Sequence, residues 1–170
     1  MLERYTSMKK KLISFGLVFS LLSFLYGCYS FKGIAIDPDI NTYFVEQFVD
    51  NTGSGVPTVA IDFSEKLKDK VRNESRLVFK ETDPDIAFSG SISRYDVQTS
   101  ATAANNKFYI GVRVSLEKFK GEDVEDQDFN LSFFAEFSNE VNFSDVQAEL
   151  EEQIIDQLVT DVFNKAFTNW

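Results

Sequence analysis

Residues 108–116 read Phe108-Tyr109-Ile110-Gly111-Val112-Arg113-Val114-Ser115-Leu116, and they alternate without a slip. Phe108, Ile110, Val112, Val114 and Leu116 fall on one side, and Tyr109, Gly111, Arg113, Ser115 and then Glu117 on the other. Period two is strand geometry, because successive side chains of a strand point to opposite faces. An apolar face backed by a polar one belongs to a sheet buried on one side only. The fold therefore turns on what covers that face.

Two flanking stretches repeat the pattern. Ile86, Phe88, Gly90 and Ile92 alternate with Ala87, Ser89, Ser91 and Ser93, until the phase slips near Arg94 and Tyr95 and Val97 take over. One extra residue in one strand, a β-bulge, produces such a slip. Phe129, Leu131, Phe133, Ala135 and Phe137 form a third inward set. Upstream, residues 42–49 are aromatic and β-branched and suit a strand, and residues 77–81 suit a short one.

The cover must be helical, since two segments carry a helical period. Pro57 suits a first helical turn, and Val59, Phe63, Leu67 and Val71 recur every four residues, which predicts a helix over 57–72. Leu150, Ile154, Leu158 and Val162, widened by Ile155, Val159, Phe163 and Phe167, predict a second over 143–168. Ser144 with Gln147 reads as its capping box, and acidic residues at its start with Lys165 near its end suit the helix dipole. The expected architecture is α/β (α+β) in two layers, a mixed sheet of four to five strands with two helices on one face. The first helix is expected to make a right-handed crossover.

The chain has 170 residues, and its first 27 are expected to lie outside this fold. Met8-Lys9-Lys10-Lys11 precedes an apolar run over residues 12–26, too short for a bilayer that needs about 20. This is the layout of an export signal, for which Met8 is a sufficient start and Met1 a redundant one. The run closes on Leu25-Tyr26-Gly27-Cys28, which holds the only cysteine. The segment resembles the lipobox of bacterial lipoproteins, with leucine at −3 and a small residue at −1, while Tyr26 departs from the usual −2 residue. An ordinary signal peptide ending near a cysteine is the plain alternative. On the lipobox reading residues 1–27 are removed, Cys28 is acylated, and residues 28–170 form a single domain. Several acyl chains anchor a protein where one does so only marginally. Tyr29 is not the aspartate associated with inner-membrane retention, so the expected site is the outer membrane, with the domain facing the periplasm.

Composition excludes several functions. The net charge is −10, and it becomes −13 once residues 1–27 are gone. An acidic protein of this kind lacks the basic footprint that nucleic acid requires. Histidine is absent, which removes the commonest general base and metal ligand. No G-x-S-x-G elbow and no glycine-rich phosphate loop occurs. No cofactor, metal or catalytic residue is expected, and the chain reads as a non-enzyme. Asp37-Pro38-Asp39-Ile40-Asn41 opens like a calcium loop, but Thr42 and Phe48 stand where glycine and glutamate belong, so a turn suffices. Glu122, Asp123, Glu125, Asp126 and Asp128 read as a solvated hairpin loop. Lys66, Lys68, Lys70, Arg72, Arg76 and Lys80 crowd 15 residues. They are either the wet face of the first helix or a contact for anionic groups such as lipid phosphates.

The start Cys28-Tyr29-Ser30-Phe31-Lys32-Gly33, the segment Pro38-Asp39-Ile40-Asn41-Thr42 and the tail from Leu158 to Trp170 together resemble the lipopolysaccharide-assembly lipoprotein family (LptE), in its Bacteroidetes-type form. The likeness covers nearly all of residues 28–170, and the family's two helices on a mixed sheet agree with the pattern above. It implies a non-enzymatic lipoprotein that plugs a large outer-membrane β-barrel (LptD-like), helps that translocon assemble, and contacts the lipopolysaccharide it delivers to the outer leaflet. Cys28 carries over as the lipid attachment site. Lys66, Lys70, Arg72, Arg94 and Arg113 are candidates for lipopolysaccharide contact on charge alone. Two other classes stay open. One is another envelope-assembly lipoprotein, such as a pilotin, and the other a lipid-anchored glycan-binding domain.

Overall fold

The computed structural model describes residues 36–54, 57–99, 104–121 and 126–168. The signal region, Cys28, the segment that follows it to Gly33, and Glu122, Asp123 and Glu125 of the acidic loop lie outside these residues.

The elements run β1 (Thr42–Val45), β2 (Val49–Asp50), α1 (Pro57–Glu74), β3 (Val78–Phe79), β4 (Ile86–Gln98), β5 (Asn105–Lys118), β6 (Gln127–Ser138) and α2 (Phe143–Thr168). The sheet order is β3-β1-β4-β5-β6, and β2 also pairs with β4. β1 is parallel to both β3 and β4, and β4-β5-β6 is an antiparallel meander. The sheet is thus mixed, as expected, with six strands.

The decisive stretch sits at the centre. Phe108, Ile110, Val112, Val114 and Leu116 are all at 0% exposure, while Arg113 on the opposite phase is exposed. α2 covers them with Leu150, Ile154, Ile155, Leu158, Val159, Val162, Phe163 and Phe167, all buried. α1 lies beside α2 over β1 and β2 and contributes Val59, Phe63, Leu67 and Val71. One apolar layer is closed between sheet and helices, and burying such side chains is the main favourable term in folding.

Four local findings refine the reading from sequence. The slip near Arg94 is a bulge, since the β4–β5 register shifts between Ile92 and Arg94. Residues 42–49 form two strands rather than one. Val45 stands opposite Phe88 but Val49 opposite Ser91, so one extra residue is accommodated over 46–48. The slip turns Phe48 inward onto Phe63, with ring centroids 4.9 Å apart, and its amide donates to Ser64 Oγ at 2.8 Å. Gly90 makes room for this, because a Cβ there would lie 2.1 Å from the Arg113 carbonyl oxygen and 2.6 Å from Phe48 Cε1.

β3 is shorter than its sequence suggests because only the start of β1 faces it. Ser144 does not cap α2. The helix begins at Phe143, whose ring packs 4.8 Å from Phe108, and Gln147 turns to Tyr95 and Glu151 instead of the backbone. The helix starts at 143, as its period predicts, so Ser144 lies inside the first turn rather than ahead of it.

A polar staple fixes where the lead-in joins the sheet. The amides of Asn41 and Thr42 donate to Asp85 Oδ2 at 2.8 and 2.9 Å, and Lys120 Nζ lies 2.7 Å from Oδ1. Burial alone would raise the Asp85 carboxyl, but these donors outweigh it and hold it well below the usual carboxylate range. Asp37-Pro38-Asp39 is a turn closed by the Asp39 amide donating to Asp37 Oδ1 at 2.9 Å.

Candidate functional site

The five candidate cations do not converge. Lys66, Lys70 and Arg72 lie on α1 in the helical layer, whereas Arg94 and Arg113 lie on the helix-free face of the sheet.

On α1 the charges are countered locally. Lys66 Nζ reaches Asp156 at 2.5 Å and Glu152 at 3.8 Å, Lys70 reaches Glu74 at 2.8 Å, and Arg72 reaches Asp69 at 2.7 Å. Lys66 and Lys70 do line an open groove of 320 Å³ between the helices. Its other ionic members are Asp69, Glu74 and Asp156, so carboxylates outnumber ammonium groups there. Such a groove has no net pull on an anion. Most of this cluster behaves as the wet, salt-bridge-laced face of the first helix.

The open sheet face is organised differently. Register places Arg94 beside Gly111 and Arg113 beside Asn130, with Asp96, Tyr109 and Phe134 in one row and Lys107 and Glu136 in the next. The bulge and Gly111 let Arg94 lie flat, since a Cβ at Gly111 would come within 2.9 Å of Arg94 Cβ. Its guanidinium stacks 3.7 Å from the Tyr109 ring centre, and its Nε and a terminal nitrogen donate to Asp96 at 2.5 and 3.1 Å. That bidentate bond raises Arg94 and lowers Asp96 from their ordinary values. Tyr109 lies 5.2 Å from Phe134, which is 37% exposed, and Lys107 Nζ sits 4.3 Å over the Phe134 ring. Arg113 is the cation of this face held by an amide: its Nε donates to Asn130 Oδ1 at 3.2 Å. An amide leaves the guanidinium charge uncancelled, so Arg113 keeps its capacity for an anionic oxygen.

The face therefore presents an exposed ring edge beside Arg113, while Arg94 and Lys107 are already met by Asp96 and, at 3.4 Å, Glu136. It can meet a sugar ring through Phe134 and phosphate or carboxylate through Arg113. Charge alone did not single out Lys107, Tyr109 or Phe134. The available signal was phase, since Tyr109 and Phe134 are aromatic at positions that alternate with the buried set.

Among the described residues no group of three or more acidic, histidine or cysteine side chains could hold a metal ion. The half-buried Tyr95 hydroxyl donates to Glu151 and accepts from Gln147 Nε2 at 2.8 Å, tying β4 to α2. Burial first, and then Glu151, pushes that phenol up, which suits a structural tie.

The sequence model of LptE, described as lipopolysaccharide-assembly, matches residues 40–166. The chain belongs to the LptE family. The match runs from the residue before the Asp85 staple almost to the end of α2, so it takes in the whole described sheet and both helices. No curated protein sequence matches the chain. Solved structures of similar fold include a minor lipoprotein from Acinetobacter baumannii, at 11% identity and TM-score 0.52, covering 76% of this chain and 94% of that one. Another is a hypothetical protein from Chlamydia trachomatis, at 9% identity and TM-score 0.52, covering 74% and 96%. A third is an uncharacterized lipoprotein B from Nitrosomonas europaea, at 8% and 0.50, covering 79% and 90%. At these identities the likeness concerns fold. LptE is a family of accessory lipoproteins in lipopolysaccharide assembly rather than of enzymes.

Proposed function

We propose that this LptE-family chain is a lipoprotein anchored in the outer membrane through acylated Cys28. Its domain faces the periplasm, partners a large β-barrel translocon and occupies that barrel's lumen while lipopolysaccharide passes to the outer leaflet. The observation that carries the reading is the family match over residues 40–166. The fold supports it. A domain of this kind offers a barrel interior a polar surface, with its apolar mass enclosed between sheet and helices.

Within this reading the open sheet face is the surface that meets lipopolysaccharide. Arg113 would hold phosphate, Phe134 would face a sugar ring, and Arg94 would stay stacked on Tyr109 beside them. The α1 cations contribute less than Arg113, because carboxylates already meet them whereas Arg113 is met by the neutral Asn130. The test is binding of the purified protein to lipopolysaccharide micelles over a range of salt. Arg113→Gln is expected to weaken binding at least tenfold, and wild-type binding to fall as salt rises. Lys66→Gln with Lys70→Gln and Arg72→Gln is expected to change it less than threefold. The reverse ranking moves the contact to α1, and equal binding by all three proteins removes both surfaces from the reading.

A further inference from the structure

Two arginines lie on the open sheet face, and their partners differ in charge. Arg94 donates through Nε and a terminal nitrogen to the Asp96 carboxylate and lies against the Tyr109 ring. Arg113 is exposed and donates through Nε to Asn130 Oδ1 at 3.2 Å. Among the described residues no carboxylate pairs with Arg113, while Asp96 and Glu136 are taken by Arg94 and Lys107.

Asparagine is an unusual residue for that place. It is depleted in strands, yet Asn130 stands inside β6 between Phe129 and Leu131 of the helix-facing set, directly opposite Arg113 in register. An opposite charge is the ordinary stabilising partner for a cation across two strands. The amide differs from a carboxylate in three ways. Its oxygen restrains the guanidinium through Nε and leaves both terminal nitrogens with their protons. It cancels none of the charge. Because arginine only donates, Oδ1 must face it, so the Asn130 NH2 group is left to donate to another acceptor. Ser91 flanks Arg113 on its other side, and Ser89, Ser115 and the exposed Asp128 form the adjacent row.

We propose that Asn130 is a positioning and selectivity residue for a phosphate group. It holds Arg113 in place without neutralising it and adds amide donors beside the guanidinium, so that this row takes a phosphorylated glycolipid in preference to one without phosphate. A guanidinium fork binds two oxygens of one phosphate, and a terminal phosphate carries three acceptor oxygens, which leaves one for the amide. Arg94 shows the alternative on the same face, where a carboxylate partner occupies the fork. The inference rests on the open face being the surface that meets lipopolysaccharide, and it names the residue that keeps one cation of that face available.

The experiment measures binding of the purified full-length chain to micelles of intact lipopolysaccharide and of the same lipopolysaccharide stripped of phosphate, with urea melts of each protein. Asn130→Asp is expected to weaken binding to intact micelles at least tenfold, as Arg113→Gln does. Its melting midpoint is expected to stay at or above that of wild type, because opposite charges across two strands favour the sheet. An asparagine with only a structural role would lower binding and stability together. Asn130→Gln keeps a neutral amide and is expected to bind within threefold of wild type. Adding Asn130→Asp to Arg113→Gln is expected to cost less than a further threefold, since the aspartate acts through the guanidinium. On phosphate-stripped micelles wild type and Asn130→Asp are expected to bind alike. Unchanged binding by Asn130→Asp alongside weakened binding by Arg113→Gln overturns the proposal and leaves the open face standing as the contact. Unchanged binding by Arg113→Gln removes the face itself, and the proposal with it. Equal losses for Asn130→Asp on intact and stripped micelles overturn the assignment to phosphate.

Discussion

Replacing Asp85 by alanine removes a carboxylate that is 3% exposed and leaves the Asn41 and Thr42 amides facing an empty site. A buried donor left unpaired costs about 1–3 kcal/mol; Asn41 is exposed and its amide can turn to water, so the expected loss is about 1–3 kcal/mol, from the half-buried Thr42 amide. Lys120 is exposed and returns to water, so nothing is added for it. Asp85→Asn keeps one oxygen for the two amides but presents an amide nitrogen to Lys120, and is expected to cost less. The carboxyl also links stability to pH. Its folded value lies below its unfolded value of about 3.9. Its stabilisation is therefore complete well above about pH 4, and it is lost as pH falls from there toward the folded value. Between pH 7 and pH 3 the wild type should lose about 1 kcal/mol more than Asp85→Asn, which has no such group to protonate. Urea melts of the three proteins at both pH values measure this. Equal midpoints at pH 7 for wild type and Asp85→Ala, or parallel losses on acidification for wild type and Asp85→Asn, would refute the staple.

Leu158, on the sheet-facing side of α2, is fully buried, so Leu158→Ala should cost about 2–5 kcal/mol in the same melts, and a change under about 0.5 kcal/mol contradicts the packing. Cys28→Ser is expected to abolish lipid addition and the cleavage that depends on it, read by mass spectrometry of the mature N-terminus. An unmodified wild-type N-terminus downstream of Cys28 would falsify the anchor.

The sheet and helices were legible because their periods are long and clean. Residues 108–116 need one buried face, and the α2 stripe from Leu150 to Phe167 supplies it. The bulge at Arg94 was legible too, as a change of phase. The break after Val45 was not, because residues 42–49 are uniformly strand-like in composition. What splits them is Phe48, whose ring finds Phe63 across the layer, a contact 15 residues away in sequence. Ser144 failed as a cap because Phe143, packed on Phe108, is already helical, which puts Ser144 inside the first turn. The candidate site was legible only as single charges. Net charge does not reveal that Lys66 faces Asp156, 90 residues on, while Arg113 faces the neutral Asn130. That difference is made by strand register and helix contact.

The most direct test of the central claim is affinity capture of the full-length lipoprotein from solubilised outer membranes, with partners identified by mass, alongside its depletion in cells. The account predicts recovery of one large β-barrel in near-equal amount. It also predicts that depletion leaves this barrel misassembled and lipopolysaccharide missing from the cell surface. Recovery of no barrel, with surface lipopolysaccharide normal after depletion, would contradict it.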